Sequence, residues 1–386
     1  MTFRIFIGML FIVLLFGACQ SDSPQQDDGP VTLPPEQEDY SEANYKWGYI
    51  NKGGRLVIKA QYDDCRNFTE GFAVVRKKGQ WGYIDKRGKE IVTPLYKAAW
   101  SFSDKLGRVL TYDNKMGYVN TAGEVAIEPQ FEDAKDFSEG LAAIKKEERL
   151  GYINTKGEIA IPLQFEDAFG FKNGLARVKK DGQYGLINKK GKFVVEPKYD
   201  TVYGFSNGLS RVKKDNKYGY VDKAGKLVIP IQYQSAKDFN EEHAVVKEKI
   251  AFGLIDKKGN FSIPEKYDAL WYANDGFWGA TILGKSGFLR NDGKHLVPFK
   301  YNLLYSFSEG LAGYQNGDFW GYIDTSGTEV TPPHFGLIWD FKEGFARVGY
   351  REGIGFINKV GDLILPAEYL DVKDFSDGLA RVQVMR

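Results

Sequence analysis

The stretch that decides the fold is YIDKRGKEIV, residues 83–92. Asp85 begins a turn and Gly88 completes it, since an Asp side chain bonds the backbone two residues on and Gly tolerates positive φ. The residues on either side of the turn are mostly β-branched or aromatic, which favours strands. The decapeptide therefore predicts a β-hairpin.

A second turn precedes each such hairpin. In VKKDGQYGLI, residues 178–187, Asp181 and Gly182 separate two strand-like runs. The two turns together predict a three-stranded antiparallel meander. In this copy the predicted strands cover residues 175–180, 184–188 and 193–195.

The segment that links one meander to the next has the pattern P-x-(x)-Y-D-x-A-x-x-F-x-x-G. Its apolar residues, Tyr199, Val202 and Phe205 in one copy, are three apart, which predicts a single turn of helix. Gly208 is expected to end that turn. The predicted unit is therefore three strands and a short helical link.

The same unit occurs ten times from residue 45 onward. Its first glycine recurs every 34 residues, with one interval of 35, and a second glycine lies six residues after each. A fixed period of this length indicates a repeat architecture, in which each sheet buries its apolar face against its neighbours. The ten first glycines are Gly48, Gly82, Gly117, Gly151, Gly185, Gly219, Gly253, Gly287, Gly321 and Gly355.

Three copies carry a Trp-Gly pair at the first glycine, namely Trp47-Gly48, Trp81-Gly82 and Trp320-Gly321. With the surrounding pattern W-G-Y-I-D-x-x-G-x-x-V-I-P, these pairs make residues 45–386 resemble the bacterial WG-repeat family. The resemblance implies a domain of tandem repeats over residues 45–386, in a family known as a repeat module without a defined chemistry.

The repeats predict an all-β tandem array of about ten meanders, which we expect to form an open, curved superhelix or solenoid. The alternative is a closed, propeller-like ring. The chain enters at a middle strand near Trp47 and leaves after a first strand, so its ends could complete one shared sheet. Against a ring, propellers usually have about 4–8 blades of four strands.

The composition excludes several classes of protein. The 386 residues include 52 Lys and Arg against 51 Asp and Glu, so no net charge points to nucleic acid. Two cysteines exclude a disulfide framework. The three histidines, His243, His295 and His334, are scattered, and no phosphate-binding or nucleophile motif occurs. We therefore expect no metal, no cofactor and no enzymatic activity.

The N-terminus predicts export and an anchor. Residues 1–18 form a signal peptide whose apolar run is too short to span a membrane. Together with Cys19 they resemble a bacterial lipoprotein signal, except that Phe16 stands where Leu is usual. The resemblance implies acylation of Cys19, for example with palmitate, and Gln20 favours the outer membrane, on its periplasmic or surface face. The alternatives are an ordinary secretory signal and a short uncleaved anchor.

The stretch 19–44 is predicted to be a disordered tether. It contains seven acidic side chains, no Lys or Arg, and four prolines. Such a composition buries too little apolar surface to offset the entropy of ordering the chain. We expect this tether to hold the repeat domain away from the membrane.

Two repeat positions predict ligand-binding columns. The eighteenth residue after the first glycine is aromatic or cationic, and such a column could hold a glycan or an extended peptide by stacking. The alternative is packing between repeats. The aromatic members are Trp100, Phe169, Tyr203, Trp271, Tyr305 and Trp339, and the cationic ones are Arg66, Lys135, Lys237 and Lys373.

The twenty-sixth position holds an arginine in five copies. A ladder of arginines could bind an anionic glycan or an acidic protein surface. The alternative is a solvated strand face whose arginines pair with local acids. The five arginines are Arg108, Arg177, Arg211, Arg347 and Arg381.

The repeat departs most from its pattern around residues 271–286. Several aromatic residues cluster there, and Ala273 replaces the usual Phe, which can mark a functional site or reflect drift. Candidate acids for a glycan-active enzyme lie nearby, as Glu265 or Asp268 with Asp275 or Asp292.

Two further positions have a structural interpretation. Cys65 occupies a place that holds Ala or Val in other copies, so we expect a core residue. A column of acids is too irregular for a repeated calcium site and is interpreted as capping the helical turn. Its members are Asp63, Glu132, Glu166, Asp200 and Asp268.

The sequence as a whole favours a non-catalytic lipoprotein of the cell envelope. We expect a membrane anchor at Cys19 and a protein or glycan ligand on the repeat surface. The alternatives are a glycan-active envelope enzyme with its site in repeats seven and eight, and a structural spacer without a ligand.

Overall fold

The computed structural model describes residues 45–351, 353–369 and 371–385. In this part of the chain, forty β-strands form ten four-stranded antiparallel sheets. No helix within these ranges is long and apolar enough to cross a membrane. The predicted signal peptide, Cys19 and the tether lie outside the described residues.

Each sheet is a blade whose strands are lettered A to D in the order in which they pair. Four consecutive strands make up each of blades 1 to 5. Their bounds are β3 (Asp64–Cys65), β4 (Phe72–Lys77), β5 (Gln80–Asp85) and β6 (Glu90–Tyr96); β7 (Ala98–Ser103), β8 (Leu106–Leu110), β9 (Met116–Asn120) and β10 (Val125–Phe131); β11 (Asp133–Ala134), β12 (Leu141–Lys146), β13 (Arg149–Asn154) and β14 (Ile159–Phe165); β15 (Asp167–Ala168), β16 (Leu175–Lys180), β17 (Gln183–Asn188) and β18 (Phe193–Tyr199); β19 (Thr201–Ser206), β20 (Leu209–Lys214), β21 (Lys217–Asp222) and β22 (Leu227–Tyr233).

Blades 6 to 9 continue in the same order. Their bounds are β23 (Ser235–Ala236), β24 (His243–Lys247), β25 (Phe252–Asp256) and β26 (Phe261–Tyr267); β27 (Ala269–Tyr272), β28 (Phe277–Ile282), β29 (Lys285–Arg290) and β30 (His295–Tyr301); β31 (Leu303–Leu304), β32 (Leu311–Asn316), β33 (Phe319–Asp324) and β34 (Glu329–Phe335); β35 (Leu337–Ile338), β36 (Phe345–Gly349), β37 (Ile354–Asn358) and β38 (Leu363–Tyr369).

Blade 10 is built from both ends of the described chain. Its strands A and B are β39 (Asp371–Val372) and β40 (Leu379–Met385), and its strands C and D are β1 (Tyr45–Asn51) and β2 (Leu56–Tyr62). Strands β1 and β40 pair in antiparallel register along seven residues each. The molecule is therefore a closed ten-bladed β-propeller. The favoured open superhelix is wrong, and the alternative of a closed ring is confirmed.

Each blade has one strand more than the predicted meander, and the predicted helical link is wrong. The beginning of the link forms strand A, which has two residues in seven blades and is the longer β19 in blade 5. The register of β19 shifts between Val202 and Phe205, so a bulge interrupts the alternation of its side chains. In blade 5 the extra residue of this bulge lets Val202 and Phe205, three apart, face one core layer without any helix.

The hydrophobic core consists of ten layers, one between each pair of neighbouring blades. Between blades 4 and 5, for example, Leu186 and Val195 pack against Val202 and Val212. The layers on either side of blade 10 have the same construction. As predicted, a blade buries its apolar faces only against other blades.

The predicted hairpin turn joins strands C and D. In blade 1 an oxygen of the Asp85 side chain accepts the N–H groups of Arg87 and Lys89, both at 2.9 Å, and Gly88 has φ of 81°. The same pattern occurs in nine blades, with Asn or Asp at the first position. In blade 7, where Arg290 stands there, Asp292 accepts the N–H of Lys294 instead, at 3.0 Å.

The glycine of the Trp-Gly pair lies at a bulge between strands C and D. A Cβ on Gly82 would lie 2.3 Å from the carbonyl oxygen of Val92, and similar clashes occur at all ten first glycines. The register between these strands shifts at this point. The first glycine is therefore required because the backbone of strand D passes through the space of a side chain.

The antiparallel order places the connections on two faces of the ring. The AB and CD turns lie on one face, the AB/CD face. The BC turns and the links from strand D to the next strand A lie on the opposite one, the BC/DA face.

Candidate functional site

The two predicted columns lie side by side on each blade. The eighteenth residue follows the first two residues of strand A, and the twenty-sixth lies in strand B. Four arginines stack on the aromatic ring of their own blade, which is a cation–π contact. The distances from Cζ to the ring centre are 4.1 Å for Arg108 and Trp100, 3.8 Å for Arg177 and Phe169, 3.7 Å for Arg211 and Tyr203, and 4.3 Å for Arg347 and Trp339.

Three of these arginines, and Arg381 as a fourth, also join their blade to the next. Arg108 is only 2% exposed; its Nη1 donates to the carbonyl of Ala134 and its Nε lies 2.9 Å from the Asp136 carboxylate, both in blade 3. Three others make equivalent contacts with the following blade, namely Arg211 with Ala236 and Asp238, Arg347 with Val372 and Asp374, and Arg381 with the carbonyl of Cys65. The contact of Arg381 spans the closure of the ring.

Where the aromatic residue has no arginine beside it, a glycine makes room for it. A Cβ on Gly279 would lie 2.1 Å from the ring of Trp271, and one on Gly313 would lie 3.2 Å from Tyr305. Trp271 is 6% exposed. Tyr305 stacks on Trp320 with ring centres 4.6 Å apart.

Three of the cationic members of the first column lie opposite a small apolar residue instead. Arg66, Lys135 and Lys237 share their blades with Val74, Ala143 and Val245. The two columns therefore vary together, a signal present in the sequence but visible only once the positions are known to be neighbours. The structure gives the columns contacts within and between blades, and ligand binding by them stays a prediction.

A third column, which the sequence reasoning missed, is a tyrosine after the first glycine. The Tyr118 hydroxyl donates to the carbonyl of Lys135 at 2.6 Å, and that of Tyr152 donates to Phe169 at 2.8 Å, in both cases in the next blade. Burial raises the pKa of both hydroxyl groups far above their usual range. The other tyrosines with this bond are Tyr49, Tyr83, Tyr220 and Tyr322.

The AB turns carry a ring of polar residues that was also missed. Every turn has an Asp, Glu or Asn residue with positive φ, and the turn of blade 7 has two. In blade 3 the Glu139 carboxylate accepts the N–H of Gly174 in blade 4 at 2.9 Å and pairs with Lys189 at 3.0 Å. Burial tends to raise the pKa of Glu139, but these two partners lower it below its usual value. The ten residues at equivalent positions are Glu70, Asp104, Glu139, Asn173, Asn207, Glu241, Asp275, Glu309, Glu343 and Asp377.

The irregular column of acids has a different role from the predicted one. Asp63 accepts the N–H of Gly79 at 3.3 Å, and Asp268 accepts that of Leu283 at 2.8 Å. Glu132, Glu166 and Asp200 make the same contact with Glu147, Gly182 and Asp215. These acids cap the BC turn of their own blade, and the expected helical turn does not form.

Comparison with known families agrees with this geometry. The profile described as WG containing repeat matches ten times, over residues 47–81, 81–115, 116–149, 151–184, 184–218, 218–249, 252–284, 287–318, 320–350 and 354–384. The chain belongs to the WG-repeat family.

Solved structures similar to this WG-repeat protein share little sequence with it. A crystal structure of the eukaryotic initiation factor has 12% identity and a TM-score of 0.47, covering 74% of this chain and 94% of that one. BamB from Moraxella catarrhalis has 10% identity and a TM-score of 0.34, covering 75% and 98%. Hsv2p from Kluyveromyces lactis has 11% identity and a TM-score of 0.33, covering 60% and 94%. No curated protein sequence matches the chain.

The WG repeats around blade 7 do not bring the candidate acids together. Asp268 lies at the beginning of strand A, and the Glu265 carboxylate accepts the N–H of Glu248 in a BC turn. Asp275 and Asp292 lie in the AB and CD turns, at the opposite end of the sheet. Within the described residues, no group of three or more His, Cys, Asp or Glu is placed to hold a metal.

The unusual aromatic residues of blade 7 are largely buried. Trp278 is 1% exposed, donates its indole N–H to Asn291 at 2.8 Å and packs against Tyr272 with ring centres 5.2 Å apart. Cys65 is buried as predicted, and burial raises the pKa of its thiol to about 12.

Five exposed apolar side chains lie on the BC/DA face of four consecutive blades. They belong to BC turns or to the beginnings of strands A and C, and they are Ile250, Leu283, Leu303, Phe319 and Leu337, each 51–91% exposed. We call them the apolar sector. Most other exposed apolar residues lie around the ring near the CD turn or the beginning of strand D, namely Leu56, Val125, Ile159, Leu227, Val228, Phe261, Val360, Leu363 and Ile364.

Proposed function

We propose that this WG-repeat protein is a non-catalytic scaffold of the cell envelope that binds a protein partner through the apolar sector. The observation that carries the proposal is that four consecutive blades, 6 to 9, each present at least one exposed apolar residue on the BC/DA face, five in all. Exposed apolar patches of this kind are typical of protein interaction sites. A difference between the AB/CD face and the BC/DA face also supports placing the partner on the BC/DA face.

Turn side chains on the AB/CD face hold neighbouring blades together, as Glu139 and Lys189 do. Their sequence is therefore constrained by the ring itself. The BC turns of the apolar sector differ from blade to blade, and Ile250 and Leu283 are 90% and 91% exposed. A surface that can vary without opening the ring is where a specific partner is expected to bind.

Site-specific photo-crosslinking in the producing cells tests this proposal. A photoreactive residue at Leu283 is expected to give a discrete crosslinked species, because the side chain points into the interface. The matched control places the same residue at Ile159, which is 52% exposed but lies outside the sector. The Phe319→Ser variant should abolish the crosslink at Leu283 without changing the melting temperature.

Two outcomes would contradict the proposal. Equal crosslinking at Leu283 and Ile159 would mean that the sector has no specific partner. Binding on a glycan array that is lost in Trp100→Ala or Trp339→Ala, without any protein crosslink, would mean that the ligand is a glycan held by the aromatic column.

The envelope location rests on the sequence at Cys19. We propose that this cysteine is acylated and anchors the ring through the tether. Labelling cells with a radioactive fatty acid should mark the wild-type chain and leave Cys19→Ala unlabelled. Equal labelling of the two chains would contradict the anchor and leave the binding face to be tested separately.

A further inference from the structure

Four junctions between blades share one arrangement on the AB/CD face. The AB-turn carboxylate of one blade accepts the backbone N–H of a glycine in the next blade and pairs with a lysine from that blade's CD turn. The four sets are Glu139 with Gly174 and Lys189, Glu309 with Gly344 and Lys359, Glu343 with Gly378 and Lys52, and Asp377 with Gly71 and Lys86. The protein thus builds the same carboxylate site four times.

The junction between blades 4 and 5 keeps the donors and lacks the carboxylate. Lys223 and Gly208 occupy the places of the lysine and the glycine, but Asn173 replaces the acid. No carboxylate among the described residues contacts Lys223 or the N–H of Gly208. At the next junction, which also has Asn at this place, Lys257 pairs with Glu242 of its own blade at 2.7 Å.

A cavity of about 530 Å³ lies at the junction of blades 4 and 5. Asn173, Gly208 and Lys223 line it, and Leu175, Val194 and Phe205 provide an apolar wall. This volume is within the range of pockets for small ligands. The cavity therefore combines one cation and one backbone donor with an apolar surface.

A second change in the same junction leaves Phe205 accessible. The other eight phenylalanines at this place are at most 2% exposed, and six of them pack against the tyrosine that follows the first glycine of the preceding blade. Leu186 replaces that tyrosine here, and Phe205 is only partly buried. The Ser210 hydroxyl donates to the carbonyl of Tyr203 at 2.7 Å, which is the bond the missing tyrosine would make. This bond lies within blade 5, so the Tyr203 carbonyl keeps a donor although blade 4 supplies no tyrosine to it.

We propose that this cavity binds a carboxylate that carries a compact apolar group. The ammonium of Lys223 and the N–H of Gly208 hold the carboxylate in the place that Glu139 fills one junction earlier. The apolar group lies against Leu175, Val194 and Phe205. The ligand is either a free acid or an acidic side chain of a peptide. This site goes beyond the proposed function, because it requires neither the apolar sector nor the anchor.

Ligand-observed NMR on the full chain tests the proposal. The probes are 4-phenylbutanoate, the uncharged 4-phenylbutan-1-ol and a capped peptide containing one Glu between two Phe residues. We expect saturable binding of the acid or the peptide, and binding of the alcohol that is at least tenfold weaker. Binding of only the acid or only the peptide identifies the source of the carboxylate.

Two variants test the site with residues that occur at the equivalent positions of other blades. Asn173→Glu supplies the internal carboxylate of blade 3, and Lys223→Thr supplies the residue of blade 2, Thr121. Each should weaken binding of the probe at least tenfold while the melting temperature shows a folded ring. Lys189→Thr is the matched control, since Glu139 already fills that junction, and it should change the affinity less than twofold.

Three results would overturn the proposal. They are no binding of either carboxylate probe, equal binding of the acid and the alcohol, and unchanged binding in Asn173→Glu. Each leaves the proposed function intact, because that proposal is tested on the opposite face.

Discussion

At the scale of single residues, buried hydroxyl groups tie the blades together. Tyr118 is fully buried, and its hydroxyl is the donor to the Lys135 carbonyl of the next blade. Replacing Tyr118 with Phe leaves that carbonyl without its donor, which should lower the free energy of unfolding by about 1–2 kcal/mol at pH 7. Denaturant titration measures the change, and Tyr112→Phe is the control because Tyr112 is 59% exposed.

Because the Tyr118 hydroxyl is buried, we also expect the free energy of unfolding to fall at alkaline pH. Burial raises the pKa of Tyr118 in the folded state above its usual value of 10.0. The contribution of the Tyr118 hydroxyl to the free energy of unfolding is therefore fully present below pH 10. It is lost as the pH rises beyond that value, since only the unfolded chain then releases the proton readily. The Tyr118→Phe variant should decline less steeply above pH 10. If the variant declines as steeply as the wild type, ionisation of Tyr118 does not cause the loss of stability above pH 10.

Arg108 and Trp100 provide a second prediction for side chains. Arg108→Val removes the partner of Asp136 and of the Ala134 carbonyl, at an expected cost of about 1–3 kcal/mol. The double variant with Trp100→Lys reproduces the pair found in blade 6, Lys237 and Val245, and should recover at least about 0.5 kcal/mol. A double-mutant cycle from denaturant titrations measures the coupling, and strict additivity would mean that the two columns are independent.

At the scale of the strand, the first glycine of blade 4, Gly185, and the glycine of its BC turn, Gly182, should differ in how well they tolerate a side chain. A Cβ on Gly185 would lie 2.5 Å from the Val195 carbonyl oxygen, so Gly185→Ala must displace strand D. We expect a cost of about 2–3 kcal/mol. A Cβ on Gly182, at φ of 78°, would have no neighbour within 4 Å, so Gly182→Asn should change stability by less than about 0.5 kcal/mol. Equal costs in thermal melts would contradict the proposed bulge constraint.

Hairpins were predictable from the sequence because their causes are local. Asp85 and Gly88 specify the CD turn through contacts within five residues of chain. Strand A was not predictable, because the bulge after Val202 depends on packing against the neighbouring blade. The stacking of Arg108 on Trp100 was missed for the same reason, since it requires knowing that two positions eight residues apart lie on paired strands.

At the scale of the whole molecule, the sequence determined the number of repeats but not the closure. A repeat pattern predicts that each blade contacts its two neighbours. Whether the array closes depends on the small rotation from one blade to the next, which the pattern does not give. The shared sheet at Tyr45 and Met385 settles this point. The open junction between blades 4 and 5 also appears only at this scale, because Asn173, Gly208 and Lys223 belong to two different blades.

Closure makes a prediction that an open array would not. A chain ending at Gly378 lacks β40, which pairs with β1 and supplies Ala380 and Val382 to a core layer. In a ring this loss opens the last blade and weakens the layers on both of its sides, so the melting temperature should fall by roughly 10 °C or more. In an open array it would fray one end and leave the main transition nearly unchanged.

A circular permutant is the matched control for that truncation. Because Tyr45 pairs directly with Met385, a short hairpin can join the two ends, and new ends can be made in the BC turn between Asp181 and Gly182. The permutant keeps every strand and closes blade 4 by two strands from each end, as blade 10 closes now. Its melting temperature, followed by circular dichroism, should stay within a few degrees of the parent. A permutant as unstable as the truncated chain would mean that stability depends on where the chain begins rather than on the closed ring.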